Sequence, residues 1–200
     1  MQLVAKHISK ESFLPYGWLI SPDHEIGQLS EQNQPLTPNA NQGSAIKISS
    51  VSGVQNTSSS IVPNINIFRC FTKGSVTSNS DLIIDISVLE KHPQSSQTFI
   101  PIGVKSCHIS HIVVTALTHP SKPDEPDLST LKAFICSGNQ GVTYGKSVWH
   151  APMIAIAMDT STSYIDFTVL IYEVEADEHH ELNCVEYHYK HPHKILVSAS

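Results

Sequence analysis

Short apolar runs, rich in isoleucine and valine, recur along the chain between polar spacers. In the run 81–89, Ile84 and Ile86 alternate with Asp85 and Ser87, which is the period-two pattern of a strand with one buried face. Clusters of Gly, Ser, Asn, Pro and Asp separate the runs, and this spacing favours a β-sandwich or barrel over alternating strand–helix units. Seven runs are predicted to be strands: 45–51, 65–71, 81–89, 98–102, 111–117, 153–158 and 164–174.

Helix signals are confined to two short segments. Ser9 can cap a helix over 9–13, because its side chain can accept a hydrogen bond from a free backbone amide of the first turn. Asp127 can cap a second helix over 127–136, which Gly138 would terminate. We therefore predict a mainly β protein with one or two short helices.

The length of 200 residues and the 40% hydrophobic content predict a single domain, 1–200, with a packed core. Two Ser-, Asn-, Thr- and Gly-rich stretches, 52–60 and 72–80, are predicted to be loop insertions between strands. Four widely separated cysteines without a CxxC pair are expected to be reduced thiols.

The charge pattern restricts the partners. The formal net charge is −6 and no run of Lys or Arg occurs, so neither nucleic acid nor an anionic membrane is an expected partner. No window approaches the roughly 20 apolar residues of a membrane helix, and the N-terminal segment lacks the apolar run of a signal peptide. A cytoplasmic location is expected.

Histidines cluster in the C-terminal segment 176–194. We expect this segment to be an exposed, loosely packed tail, because nothing in it supplies the hydrogen-bonding partners that orient metal-binding histidines. The five histidines are His179, His180, His188, His191 and His193.

The strongest candidate chemistry lies in two polar segments of this apolar chain. Glu90 and His92 are two positions apart, so on a strand their side chains share a face. Gln97 follows a Pro-Ser turn and would return beside them if the two runs formed a hairpin. His150 follows a glycine-rich turn. Such a group can bind a metal or act in acid–base chemistry, while ordinary structural polar residues are the alternative.

Three further polar residues have two interpretations each. Arg69 is the only arginine and lies in an apolar run, so it is expected to pair with a carboxylate, either of a substrate or of an Asp or Glu of the fold. Asp166 alternates with Ile165 and Phe167 and points either towards the histidines or to water. Asn41 supplies a polar contact from an N-terminal loop or forms an ordinary turn.

Longer segments resemble the ureidoglycolate lyase family. They are EKHPQSSQTFIPI (90–102), PDLSTLKAFICSGNQGVTYGKSVWHAPM (126–153) and DFTVLIYE (166–173), and the similarity extends from about Phe13 to about Tyr187. The first two also resemble degenerate forms of the two cupin motifs. The resemblance implies a cupin-like β-barrel, usually a homodimer, that cleaves (S)-ureidoglycolate to glyoxylate and urea in allantoin degradation, a part of purine nitrogen catabolism. It also suggests a divalent metal, with nickel named.

For such a cleavage we expect His92 or His150 to be the catalytic base, with Glu90 orienting a histidine or contributing a ligand. If a metal is used, His92, Gln97 and His150 are its expected ligands, although the neutral Gln97 amide is a weak one. No nucleophile motif is apparent, and the reaction requires none. The expected substrate-binding residues are Arg69, Gln97, Tyr144, Lys146, Asn41 and Asp166.

Two other classes of protein share the cupin-like pattern. One is a non-enzymatic cupin that binds a small acid, for example a sensor, although a sensor usually carries a basic or helix-turn-helix segment that this chain lacks. The other is a metal-dependent cupin enzyme of different specificity, such as a dioxygenase, which would favour a fuller set of histidines than Glu90 and Gln97 leave. Fold-level analogy does not choose among them.

Overall fold

A computed structural model of the chain describes residues 2–31, 38–59, 61–73, 75–76, 81–156, 163–173 and 183–197. Within these ranges the helices are α1 (Lys10–Phe13), α2 (Pro22–Glu31) and two 3-10 turns (Asn41–Gly43 and Leu128–Thr130). The strands are β1 (Gln2–Val4), β2 (Lys6–His7), β3 (Gly17–Ile20), β4 (Val62–Phe71), β5 (Ser75–Val76), β6 (Leu82–Lys91), β7 (Gln97–Ile102), β8 (Ile109–Ala116), β9 (Thr118–His119), β10 (Lys122–Pro126), β11 (Lys132–Ser137), β12 (Gly141–Tyr144), β13 (Trp149–His150), β14 (Ile154–Ala155), β15 (Tyr164–Glu173) and β16 (Val185–Val197).

The strands form two main sheets and one small hairpin. The larger sheet has the order β1-β16-β6-β13-β8-β11-β2, with β14 on β8 and β5 on β6. Because the consecutive strands β1 and β2 pair with β16 and β11 at opposite ends, this sheet curls back into a nearly closed barrel. The second sheet has the order β3-β12-β7-β15-β4, and β9 pairs with β10. The predicted mainly β, cupin-like barrel with one or two short helices is confirmed.

Two apolar cores lie on opposite faces of the larger sheet. Along β8, Ile112 and Val114 belong to one core and Val113 to the other, as the alternation of side chains along a strand requires. The second core also contains Phe99 and Phe167 of the smaller sheet. It therefore lies between the two sheets, and the polar cluster described below opens into it.

Most of the strand predictions are confirmed, and one is wrong. The runs 65–71, 81–89, 98–102, 111–117 and 164–174 fall within or overlap β4, β6, β7, β8 and β15, and 153–158 contains β14, with 157–158 outside the described residues.

The predicted strand 45–51 is an irregular segment with a single bridge from Ala45 to Ala40. The side chain of Asn39 explains the difference. Its Oδ1 accepts from the Lys47 amide at 2.7 Å, and its Nδ2 donates to the Lys47 carbonyl. These local bonds replace a strand partner.

The first helix prediction is confirmed and the second is wrong. Helix α1 follows Ser9, which forms a reciprocal capping box with Ser12. Asp127 does accept from the Ser129 amide, but the turn stops at Thr130 and β11 follows. The four consecutive residues 133–136 are all buried, so this run is a strand buried on both faces, which periodicity cannot distinguish from a helix.

Helix α2 was missed, although its start carries a signal. Pro22 occupies the first helical position, where its missing N–H is harmless, and Asp23 and Glu25 follow in the first turn. Lys10 forms an ion pair with Glu25 and so connects the two helices.

The expectation of a loose C-terminal tail is wrong for 185–194. Strand β16 pairs with β6 and β1, and Ile195 and Val197 are fully buried. His188 and His191 are exposed and His193 is half-buried, while His179 and His180 lie outside the described residues.

The two predicted insertions differ in secondary structure. The described part of 52–60 contains a bridge between Asn56 and Ser95 but no helix or longer strand. The stretch 72–80 includes β5, and 74 and 77–80 lie outside the described residues. All four cysteines have free thiols, and among the described helices none is long and apolar enough to cross a membrane.

Candidate active site

Five polar side chains meet where the two sheets face each other. Glu90 lies at the end of β6 and His92 immediately after it, Gln97 at the start of β7, Tyr144 at the end of β12 and His150 in β13. The expected hairpin between β6 and β7 is wrong, because these strands belong to different sheets. Gln97 nevertheless reaches His92 across the space between the sheets.

Lys91, between Glu90 and His92, fixes the end of β6 through contacts on the opposite face of the strand. The ammonium group of Lys91 lies 4.5 Å from the centroid of the Trp149 ring and donates to the Pro123 carbonyl. Because Trp149 precedes His150, this cation–π contact also orients β13. The strand alternation then directs Glu90, His92 and His150 to the side facing the smaller sheet.

The environment of His92 defines its protonation state. Its Nδ1 contacts the carbonyl of Asn183, which only accepts, so Nδ1 carries the hydrogen. Burial lowers the pKa of His92 below its usual value, although the contacts with Asn183 and Gln97 act in the opposite direction. His92 is therefore neutral at pH 7, with a lone pair on Nε2.

Gln97 lies against that lone pair. The His92 Nε2 and Gln97 Oε1 atoms are 3.1 Å apart. Because Nε2 carries no hydrogen, it can only accept a hydrogen bond. The Gln97 amide therefore turns its NH₂ group towards Nε2 and donates to it.

His150 is the most enclosed member of the cluster. It is 1% exposed, and its ring stacks on Tyr144 with centroids 3.9 Å apart. Nδ1 lies 3.2 Å from the Ala151 carbonyl and 3.7 Å from Glu90 Oε1. Nε2 is buried without a hydrogen-bond partner among the described residues. Burial, assisted by His92, lowers the pKa of His150 to about 3, so its neutral ring presents an unused lone pair.

Glu90 complements the two imidazoles. Burial, and then repulsion from Glu186 directly opposite on β16, raises the pKa of Glu90 to about 7. Its side chain is 21% exposed. A carboxyl group with a pKa near neutrality can both release and accept a proton under physiological conditions.

The same three residues fit a divalent metal ion. Donor atoms of Glu90, His92 and His150 all lie within 4.8 Å of one another. Both histidines direct Nδ1 at a backbone carbonyl, which is the usual orientation of metal-binding histidines and leaves Nε2 for the ion. Two imidazoles and a carboxylate suit zinc, nickel or iron. Glu90 completes this group, and the predicted ligand Gln97 lies against His92.

Arg69 and Asp166 form a salt bridge with each other. Both nitrogen–oxygen distances of this two-pronged pair are 2.9 Å, and the Arg69 side chain is 54% exposed. Asp166 alternates with Ile165 and Phe167, which are buried in the core between the sheets. The pair therefore faces outward, and this geometry favours the salt-bridge interpretation of Arg69 over substrate binding.

The two remaining predicted residues are exposed. Lys146 lies in the turn between β12 and β13, where its backbone amide donates to Gln55 Oε1 at 2.9 Å. Asn41 lies in a 3-10 turn with a positive φ of 48°. In the described part of the chain, neither side chain forms a hydrogen bond or ion pair with His92 or His150.

The loop 52–57, which the sequence predicts only as part of an insertion, forms hydrogen bonds with the segments that carry the polar cluster. Gln55 bonds Lys146 through its side chain, and its backbone pairs with Ser96, immediately before Gln97. Ser52 Oγ lies 2.7 Å from Thr143 Oγ1, next to Tyr144. The loop therefore contacts the residues next to Gln97 and Tyr144 and the turn that contains Lys146. No local pattern in 52–57 indicates this role.

The chain is similar to proteins of one family along nearly its whole length. The ureidoglycolate lyase family profile matches residues 1–196. A ureidoglycolate lyase of Saccharomyces cerevisiae (strain S288c) is 48% identical over 193 residues, which is 94% of each chain. One of Schizosaccharomyces pombe is 34% identical over 83% of this chain and 84% of its own. One of Escherichia coli O1:K1 / APEC is 42% identical over 44% of this chain and 49% of its own. The chain therefore belongs to the ureidoglycolate lyase family.

Proposed function

We propose that this chain is a ureidoglycolate lyase, which cleaves (S)-ureidoglycolate to glyoxylate and urea in allantoin degradation. The observation that carries the proposal is His150, a neutral and fully buried imidazole with an unused lone pair between the Tyr144 ring and the Glu90 carboxyl group. Relatives named ureidoglycolate lyase over nearly the full length of the chain support the choice of substrate.

The chemistry requires only proton transfers. Ureidoglycolate carries a hydroxyl group and a ureido nitrogen on the same carbon. The hydroxyl proton passes to Nε2 of His150, and the oxygen electrons form the aldehyde C=O bond. The C–N bond breaks with its electron pair on nitrogen, which takes the proton back as urea leaves. A positioned acid–base residue contributes about 10²–10⁴-fold to each such transfer.

Glu90 stabilises the charged intermediate form of His150 in this proposal. With Glu90 ionised, its carboxylate lies 3.7 Å from Nδ1 of the imidazolium, an arrangement that favours proton uptake at Nε2. His92 is the second candidate base, because its Nδ1–H is held by Asn183; its Nε2 would take up a proton in place of the hydrogen bond from Gln97.

Substrate binding is assigned to two members of the polar cluster and to two exposed side chains. Tyr144 OH is buried without a hydrogen bond among the described residues, and together with the Gln97 amide it would hold the ureido group. Lys146, exposed on the adjoining turn, is the proposed carboxylate ligand, with Asn41 as a further polar contact. Arg69 and Asp166 are less suitable, because they already neutralise each other.

A divalent metal is the alternative to a free histidine base, because one Nε2 lone pair cannot serve both roles, and nickel is the ion that the family resemblance suggests. Glu90, His92 and His150 would hold it. When bound, it would lower the pKa of a coordinated substrate hydroxyl group.

The proposed enzyme is a cytoplasmic homodimer, and the exposed apolar face of the smaller sheet supports the dimer. Ile65, Ile67 and Phe71 of β4 are 73%, 63% and 66% exposed, and Ile100 and Ile102 of β7 extend the same face. A contiguous apolar surface of this kind marks a protein contact. Its centre carries the Arg69–Asp166 pair, whose opposite charges can meet their counterparts on a second copy.

The proposal is tested with purified protein and racemic ureidoglycolate. We expect release of glyoxylate from half of the substrate, above the rate of spontaneous decay. Glyoxylate release at the spontaneous rate would overturn the proposal, and saturable binding without turnover would identify a small-acid-binding cupin instead.

A further inference from the structure

A threonine lies on the side of His150 that is opposite Glu90. Strand β13 runs between β6 and β8, and its His150 is directly opposite Glu90 on one strand and Thr115 on the other. Directly opposite residues on antiparallel strands project from the same face, with Cβ atoms roughly 4.5–5.5 Å apart. The three side chains therefore form a row facing the space between the sheets.

The hydroxyl group of Thr115 has no role in holding the described structure together. The residue is fully buried, and Oγ1 has no hydrogen-bond partner among the described residues. Two positions earlier on the same face of β8 is Val113, which packs in the core between the sheets. Valine has nearly the shape of threonine and would avoid the cost of a buried, unpaired hydroxyl group. A threonine here is explained if its hydroxyl group binds something that enters the site.

Two other unpaired polar atoms belong to the same cluster. His150 Nε2 and Tyr144 OH are both buried without partners, and their rings are stacked 3.9 Å apart. A small polar molecule beside His150 would satisfy such groups together, whereas core packing satisfies none of them.

We propose that Thr115 is a substrate-contacting catalytic residue of the lyase reaction, an inference that rests on the proposed function. Its hydroxyl group donates a hydrogen bond to the substrate oxygen that loses its proton to His150 and becomes the glyoxylate carbonyl. Negative charge develops on this oxygen before the C–N bond breaks, so a donor aimed at it stabilises the transition state more than bound substrate.

The test compares Thr115→Val with Thr115→Ser. Valine keeps the shape and removes the hydroxyl group, and we expect kcat to fall about 100-fold, the loss typical of one such donor, with KM changed less than about threefold. Serine keeps the donor and should retain kcat within about fivefold of the wild type. Because threonine does not titrate, the apparent pKa of the pH–rate profile should be the same in both variants.

Stability measurements separate this role from a structural one. Removing an unpaired buried hydroxyl group should leave the melting temperature of Thr115→Val equal to or above that of the wild type. A lowered melting temperature together with an equal loss of kcat in Thr115→Ser would overturn the inference, and so would wild-type kcat in Thr115→Val. The proposed function fails separately, if the wild-type protein itself releases no glyoxylate.

Discussion

Replacing Glu90 by glutamine should stabilise the fold and abolish most of the activity. Burial and the facing Glu186 raise the pKa of Glu90 from 4.5 to about 7. A difference of about 2.5 pKa units between the unfolded and folded states corresponds to about 3 kcal/mol, at roughly 1.36 kcal/mol per unit. This is the free energy by which ionised Glu90 destabilises the fold at high pH, and glutamine removes it.

The sign of the pH dependence of stability follows from which state, folded or unfolded, keeps the Glu90 proton. Between pH 4.5 and about 7 the unfolded chain loses the Glu90 proton while the folded chain keeps it. The contribution of Glu90 to the free energy of unfolding is therefore fully present below pH 4.5 and is lost as pH rises to about 7. The buried histidines have their own pH dependence, but it is shared by wild type and variant and cancels in the comparison.

Urea denaturation at pH 4.5 and pH 8 measures this difference. The stability of Glu90→Gln relative to the wild type should increase by about 3 kcal/mol from the lower to the higher pH. Glu125→Gln is the matched control, because Glu125 forms an exposed pair with Lys122, and its replacement should change the free energy of unfolding only slightly. An equal difference for Glu90→Gln at both pH values would refute the account of Glu90.

Four further outcomes are expected. His150→Ala should lower kcat at least about 100-fold while circular dichroism shows a folded protein, and near-normal turnover would contradict the assignment of the base. Activity of the wild type should rise as Glu90 ionises, with an apparent pKa of about 7 in kcat/KM, and a profile that is flat from pH 5 to 8 would contradict this. Ile67→Glu should give a monomer in size-exclusion chromatography with light scattering, whereas Arg69→Met should keep kcat within about threefold, because Arg69 faces away from His150.

The sequence predicts strands best where their two faces differ. In β6 the alternation of Ile84 and Ile86 with exposed Asp85 follows from one buried face, and the strand was found. Strand β11 is buried on both faces, and Asp127 before it gives a genuine capping bond, so local signals favoured a helix. Pairing of β11 with β8 makes the segment a strand. A short stretch of sequence contains no information about that partner.

The sequence predicted which residues of the polar cluster lie close together better than it predicted how they meet. Glu90 and His92 share a face as the two-residue spacing requires, and His150 lies beside them. The route by which Gln97 reaches His92 was wrong, since it crosses between sheets. Thr115 gave no signal, because a threonine in an apolar run is ordinary until the register places it opposite His150.

Arg69 shows why a lone charge in an apolar run is ambiguous from sequence. The cost of an unpaired charge in an apolar run indicated that Arg69 needed a carboxylate, but it could not say on which side of the sheet. The pairing of β4 with β15 places Asp166 directly opposite, so the partner comes from a residue 97 positions away in the chain.

The co-product of cleavage tests the central claim most directly. Ureidoglycolate labelled with ¹³C at the ureido carbonyl is incubated with the purified protein and followed by ¹³C NMR, with ammonia measured in parallel. The account predicts one labelled urea for each glyoxylate and no ammonia at early times, because proton transfer at His150 breaks the C–N bond without hydrolysis. Labelled carbon dioxide with ammonia as the primary product would contradict the account and identify an amidohydrolase.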